Sequence, residues 1–290
     1  MTLSVHNKTS RLAVLGELAR FPLFIKSLSQ CLNYKLALYK NKKSRNLISN
    51  VLDEMGEMSA AGQDCWLTRV DKLETLLKIK GPKIYNKTSG KTISSKLQSK
   101  FSRHWLDKIN EFKSGINSDS RNHNKLRTYS TFKGSFTQEP YISQVRNRNQ
   151  RSFLTRLRVG SHNLGVELGR RTQPITPFEL RHCKYCQEMG GDSSEPNLNF
   201  VDTEFHFLVQ CSSFSIKRNC LYGKMSSLLP NFMQLSDDQK FMQLLCPITP
   251  QSAKLVNKFC KIMFECRKKI DEGSTLEDIG FRPWDISTTM

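Results

Sequence analysis

Long apolar runs are missing from this 290-residue chain. The longest is about five residues, Phe21-Pro22-Leu23-Phe24-Ile25, where a membrane-spanning helix needs about 20, so no transmembrane segment is expected. The first residues carry charges among their apolar positions and lack a small-residue cleavage site, which argues against a secretory signal. The sequons Asn7-Lys8-Thr9 and Asn86-Lys87-Thr88 are then chance matches, and the expected address is intracellular, nucleus or cytoplasm. There is no internal repeat. Hydrophobic residues still make up 38% of the chain, enough to argue against disorder throughout.

Acid is the scarcer charge: 26 Asp and Glu stand against 45 Lys and Arg, for a formal net charge of +19. The excess is uneven. Residues 87–181 hold 19 Lys and Arg but 6 Asp and Glu, which places +13 of the total there. Charge of one sign at this density resists compaction unless a polyanion screens it, the footprint of a nucleic-acid binder. A solvated basic face or a contact with an acidic membrane would give the same composition.

Most of the chain repeats apolar residues with a helical period. Ile25, Leu28, Leu32, Leu36 and Tyr39 form one stripe, with Pro22 suited to the first turn. Leu47, Ile48, Val51, Leu52 and Met55 form a second. Asp64 is placed to cap a helix carrying Trp66, Val70, Leu73 and Leu77, which Gly81-Pro82 ends. Ile93, Leu97, Phe101, Trp105 and Ile109 recur every four residues. A polar loop over 117–124 precedes a basic helix expected from Tyr141 to about Arg158, and Leu255, Phe259, Met263, Cys266 and Ile270 mark a last one. Short strands are expected at most around residues 162–168 and near the cysteine pairs. The fold class is therefore mainly α: helical units with a small structural zinc module and at most a few short strands.

Nine cysteines in a reducing compartment do not make a disulfide framework. Cys31, Cys65, Cys220, Cys260 and Cys266 lie in apolar helical stretches and read as small buried hydrophobes, while Cys246 has no evident role. Three remain. Cys183-Lys184-Tyr185-Cys186 is a C-x2-C and His206 through Cys211 is H-x4-C, with 19 residues between the pairs. Zn2+ takes four tetrahedral N and S ligands, and a C-x2-C turn offers two thiolates to one ion. On a regular α-helix residues five apart diverge by about 140°, so the helix over 202–209 should unwind before Cys211, with Ser212 or Ser213 capping the next one, which carries Phe214, Leu221 and Met225. Four such ligands leave no open position, so the zinc would be structural. Gly190-Gly191 and residues 193–199 read as a loop inside the site; His182 is a competing ligand that the spacing disfavours.

The run Arg181-His182-Cys183-Lys184-Tyr185-Cys186, then Asp202-Thr203-Glu204-Phe205-His206-Phe207-Leu208-Val209-Gln210-Cys211, resembles the zinc-binding module that follows the polymerase domain in LINE-type, non-LTR retrotransposon reverse transcriptases. Residues 157–170, Lys125-Leu126-Arg127-Thr128-Tyr129 through Lys133, Glu139-Pro140-Tyr141 and Gly16-Glu17-Leu18-Ala19-Arg20-Phe21-Pro22-Leu23 are similar to segments leading into that module. The resemblance spans about residues 11–270, and the order of the motifs carries it. Ala19 and Lys35 depart from the family's common Gly and Trp. The acids that hold two metal ions over a primer end, one pair of them in an aromatic-x-Asp-Asp turn, are not found. Asp237-Asp238 reads as an early helix turn, and no acid set points to an endonuclease.

The resemblance implies a non-catalytic, zinc-stabilised nucleic-acid-binding fragment that grips RNA or DNA. Expected phosphate contacts are Arg146, Arg148, Arg151, Arg156, Arg158, Arg170, Arg171 and Lys184, with Tyr185 placed to stack on an unpaired base. The alternative is an element-derived protein whose helices bind another protein. The expected organisation is a helical post-polymerase-like region over 1–120, a basic zinc-centred helical domain over 121–272 and a polar tail over 273–290, in which Trp284 is placed to dock. Oligomeric state is not legible.

Overall fold

The computed structural model describes residues 3–40, 46–76, 90–114, 125–189 and 200–275. The loops expected over 117–124 and 190–199, the stop at Gly81-Pro82 and the tail with Trp284 lie outside these residues. Helices dominate, as the periodicity predicted. Among the described residues the β pairing is an isolated antiparallel bridge, His182 with Val201, beside the cysteines; the strand expected around 162–168 is instead a short helix, Gly165–Leu168. No described helix is long and apolar enough to cross a membrane.

Two compact units emerge, residues 20–106 in one and residues 1–19 with 107–290 in the other. This differs from a single cut near residue 120: the N-terminal helix joins the part that holds the cysteine cluster because its apolar face packs on that core.

The unit over 20–106 packs helices Leu23–Lys40, Asn46–Ala60 and Trp66–Leu76 with most of Gly90–Ser114. Its core is the predicted stripes, Ile25, Leu32 and Leu36 against Val70, Ile93 and Leu97, with Phe21, Trp66 and Phe101 at the margin. Lys35 is buried and hydrogen-bonds Glu74 at 2.8 Å, so the cation is paired inside the helix bundle. Asp64 does not cap its helix. It grips Arg69 at 2.7 Å, and the Cys65 sulfur accepts the Thr68 amide at 3.5 Å instead.

In the other unit, helix Pro250–Asp271 is central and packs against helices Ser152–Arg158 and Ser215–Leu228. Its start is fixed by a Thr249/Ser252 capping box with Pro250 in the first turn. Ala253, Val256, Phe259, Cys260, Met263 and Cys266 are buried along one face. Asn257 accepts the Phe153 and Leu154 amides at 2.8 and 3.2 Å, capping helix Ser152–Arg158 from a distant helix. Asp237-Asp238 begins helix Asp237–Leu245 behind a Ser236/Gln239 capping box, the early turn expected of it.

Helix Arg11–Leu18 ends on Ala19 in the left-handed region, φ 47° and ψ 38°. That conformation costs a side-chain-bearing residue about 1–2 kcal/mol and costs glycine little. Ala19→Gly is therefore expected to stabilise this unit by about 1 kcal/mol, read as a higher urea midpoint; an unchanged or lower midpoint would contradict it.

The basic helix expected over 141–158 is broken in two, Pro140–Gln144 and Ser152–Arg158. Between them Arg151 turns inward and donates to the Ile142 and Arg146 carbonyls at 3.2 and 3.0 Å and also to Val145. It satisfies carbonyls left at the end of the first helix. Arg158 is fully buried too, bonded to Glu17 at 3.0 Å, Glu139 at 2.5 Å and the Leu245 carbonyl, between the rings of Phe132 and Tyr141. The Tyr141 hydroxyl bonds Glu17 at 2.9 Å, and Lys133 pairs with Glu139.

Candidate metal centre and nucleic-acid interface

The Cys183, Cys186, His206 and Cys211 ligand atoms converge within 4.8 Å of one another, all in buried residues. Two devices bring the pairs together. Asp202 N–H donates to the Arg181 carbonyl at 2.8 Å and Cys183 N–H to the Phe200 carbonyl at 2.9 Å, zipping the two segments around the His182–Val201 bridge. The second device adds a turn that the H-x4-C spacing did not specify. His206–Gln210 is a π-helix, closed by Cys211 N–H to the His206 carbonyl at 2.7 Å. The wider turn brings residue i+5 back over residue i, and the chain leaves the helix at Cys211 (ψ 112°), as expected, so both ligands face one point.

The sulfurs of Cys186 and Cys211 are 3.5 Å apart, those of Cys183 and Cys211 3.9 Å, and His206 Nε2 is 3.4 Å from the Cys186 sulfur. A tetrahedral ion with metal–sulfur bonds of about 2.3 Å has S···S edges of about 3.8 Å. The donors therefore fit a metal ion as they stand. Hydrogen bonds from Cys183 and Cys211 pull the Cys186 thiol well below its ordinary value, and the same contacts push Cys183 up.

Residues that the cysteine spacing did not single out surround the cluster. Arg267, from the central helix, places Nη2 3.8 Å from the Cys183 sulfur and holds Asp202 through two bonds of 2.9 and 3.0 Å. Arg218 donates to the Cys211 carbonyl at 2.6 Å. Ser212 and Ser213, expected to cap the next helix, hydrogen-bond the Cys186 sulfur at 3.4 and 3.8 Å, and Ser213 also bonds the Tyr185 carbonyl. A divalent ion with three thiolates and a neutral imidazole carries one negative charge; Arg267, Arg218 and Asp202 together bring one positive charge. Such outer partners hold ligands in place and tune a metal site. Asp202 was visible beside His206 in sequence, whereas nothing local in sequence marks Arg267.

A second buried network braces the module. Arg127 bonds Glu167 at 3.0 Å and Glu204 at 2.5 Å, and His162 Nε2 lies 2.8 Å from Glu204. Burial would push the Glu204 carboxyl up, but the Arg127 charge and the His162 hydrogen bond outweigh it and hold it well below the ordinary range.

The expected phosphate contacts divide. Arg146, Arg148, Arg171 and Lys184 are exposed and Arg156 is half-buried. Arg151 and Arg158 are buried in the contacts described above and do not reach solvent. Arg170 is 7% exposed beside Glu167 at 3.5 Å, and burial lowers its pKa to about 10. Tyr185 is not a stacking platform: it is 5% exposed, its hydroxyl bonds Asp271 at 2.9 Å, and Arg267 lies over its ring. Basic residues in a dense run pointed to a phosphate grip, but core carboxylates and helix ends had claimed three of them. Of the remaining cysteines, Cys260 and Cys266 are buried as expected, Cys31, Cys65 and Cys220 are half-buried, and Cys246 accepts a bond from Arg158 at 3.3 Å.

No protein family, curated protein or solved structure matches the chain.

Proposed function

We propose that the protein is a non-catalytic nucleic-acid-binding unit whose basic domain is held together by a structural Zn2+ on Cys183, Cys186, His206 and Cys211. Three soft thiolates with one imidazole favour zinc over the harder divalent ions, and four protein ligands leave no position for a reacting water. The observation that carries the nucleic-acid half is the surviving exposed charge. Arg146, Arg148, Arg156 and Arg171 have no carboxylate partner among the described residues, on a chain of net charge +19. Guanidinium groups so placed release counterions on meeting phosphates. The resemblance to the zinc module of non-LTR reverse transcriptases supports the same reading. So does the meeting of its separate segments in space, where Glu17, Lys133, Glu139, Tyr141 and Arg158 share one network.

Fluorescence anisotropy of the zinc-loaded protein with labelled RNA hairpin, single-stranded DNA and duplex across a salt series tests it. Log affinity is expected to fall steeply with log salt. Reversing Arg146, Arg148 and Arg171 to Glu is expected to weaken binding on the order of tenfold or more at low salt with the fold intact. Flat, weak binding of all three ligands would overturn the reading and favour a helical surface for another protein, to which exposed Leu23, Phe24 and Leu47 are suited.

A further inference from the structure

A cavity of about 960 Å³ opens beside the cysteine cluster. Its walls come from the N-terminal segment at Ser4–His6, helix Ser152–Arg158, the loop around 161–171 and the last turns of helix Pro250–Asp271. Three acids line it, and each has a cation partner in the chain: Asp202 has the buried Arg267 at 2.9 Å, while at the surface Asp271 has Lys184 at 2.5 Å and Glu265 has Lys261 at 3.7 Å. Arg156 and Arg171 line it without a carboxylate partner among the described residues; Arg156 spends its Nε on the Ser4 carbonyl at 2.8 Å. The cavity is thus biased toward an anion.

It also has an aromatic wall. Phe153 and Phe264 stack with centroids 6.2 Å apart and planes 26° apart, and both are half-buried where they line the space. Their inner support is firm: Phe264 stacks in turn on the buried Phe207 at 4.9 Å, and Phe207 lies under the Arg267 guanidinium. Arg156 lies over the Phe153 ring at 5.4 Å, so a cation stands at the aromatic pair.

We propose that this cavity receives an unpaired stretch of a nucleic-acid strand, its phosphates on Arg156 and Arg171 and a base against the Phe153–Phe264 pair. The proposal rests on the nucleic-acid reading above and narrows it. Positive grooves with supported aromatic faces are how unpaired strands are held, because every base has a π-face to offer. In a duplex those faces are stacked inside the helix and cannot reach the rings. The volume lies at the upper end of the roughly 300–1,000 Å³ typical of small-ligand sites, room for unpaired nucleotides and too little for a double helix. An acidic peptide would meet the cations but leave the aromatic wall uncovered.

The test is anisotropy of the full-length, zinc-loaded chain with a labelled single-stranded RNA, and with the same strand annealed to its complement as a blunt duplex. The strand is expected to bind about tenfold tighter. Phe153→Leu and Phe264→Leu, which keep an apolar side chain, are expected to cost the strand about five- to tenfold and leave the duplex unchanged. Arg156→Gln with Arg171→Gln should lower the magnitude of the strand's salt slope by about 1.4. Circular dichroism and zinc content report the fold of each variant. On the wild-type protein, a photo-crosslinkable base in the strand should label residues 153–171 and 264–271. Duplex bound as tightly as strand, or crosslinks confined to Arg146 and Arg148, would overturn the cavity proposal while the nucleic-acid reading stands. Binding of neither form overturns both. Displacement of the strand by poly-glutamate at matched charge would assign the cavity to an acidic peptide instead.

Discussion

Removing the metal, by chelation or by Cys186→Ser, is expected to unfold the segment from Arg181 through helix Ser215–Leu228. Structural zinc on ligands of this kind contributes an apparent 10–16 kcal/mol at neutral pH, as much as the whole stability of an ordinary domain, about 5–15 kcal/mol. Little else holds these ligands together locally. Ahead of helix Ser215–Leu228 its described residues have one isolated β bridge, a six-residue helix that carries Cys186, and short π and 3-10 turns. Without the ion, the cysteine sulfurs 3.5 Å apart lose the charge that lets all three ionise. Arg218 and Arg267 are then left buried around a neutral cluster with Asp202 alone to balance them. Hydrogen exchange gives the readout: amides over 200–228 should lose protection in the chelated protein while helix Leu23–Lys40, in the other unit, keeps it. Cys260→Ser is the control, since that buried thiol lies outside the cluster and its loss should be local. Unchanged protection over 200–228 after verified zinc removal would show that packing alone folds the module. Because the ligands must be deprotonated, zinc affinity should also fall as pH drops.

The candidate metal ligands were legible because their chemistry is local: four donors of fixed type in two short pairs specify a cluster whatever surrounds them. Helix positions were legible for a similar reason, the apolar period over 25–39 or 255–270 being set by which face meets a core. What the sequence hid was partnership over long separations. Arg151 and Arg158 look like any surface arginines in a basic run. Burial of Arg158 depends on Glu17, 141 positions away, and that of Arg151 on a break between two helices that no proline or glycine marks. Tyr185 read as a platform for an unpaired base because Asp271 and Arg267, on the last helix, could not be placed beside it. The π turn at His206 was hidden more subtly. The spacing of five showed that a regular α-helix would fail and pointed to unwinding before Cys211; the chain leaves the helix there, but first widens into a π turn. The outer shell at Arg267 and Arg218 was invisible for the same reason as the buried arginines.

The same buried arginine yields the second large effect. Arg158→Met is expected to destabilise the unit that holds the cysteine cluster by about 3–5 kcal/mol, the usual loss when one partner of a buried ion pair is removed. Arg158 has no exposed surface in its ion pairs with Glu17 and Glu139, so water cannot replace it. Glu139 retains Lys133, whereas Glu17 keeps the Tyr141 hydroxyl as its remaining side-chain contact in this network. Glu17 is therefore the group left stranded. Burial already raises its pKa above 4.5 even with Arg158 opposing the shift; taking Arg158 away raises it further. The sign follows from linkage. A carboxyl whose folded pKa lies above its unfolded value favours the folded state when protonated, so its contribution is full below the unfolded pKa, near 4.5, and is lost as pH rises through the folded pKa. The deficit of Arg158→Met relative to wild type should accordingly be smallest in mild acid and grow toward neutrality. Glu17→Gln in the Arg158→Met background should recover part of the loss at neutral pH and flatten that pH dependence, the two changes being strongly non-additive. Urea midpoints for the four proteins of this cycle, measured from pH 5 to 8 with zinc present, decide the matter. Additive losses that do not change with pH would mean that Arg158 acts through its packing between Phe132 and Tyr141 rather than through its charge.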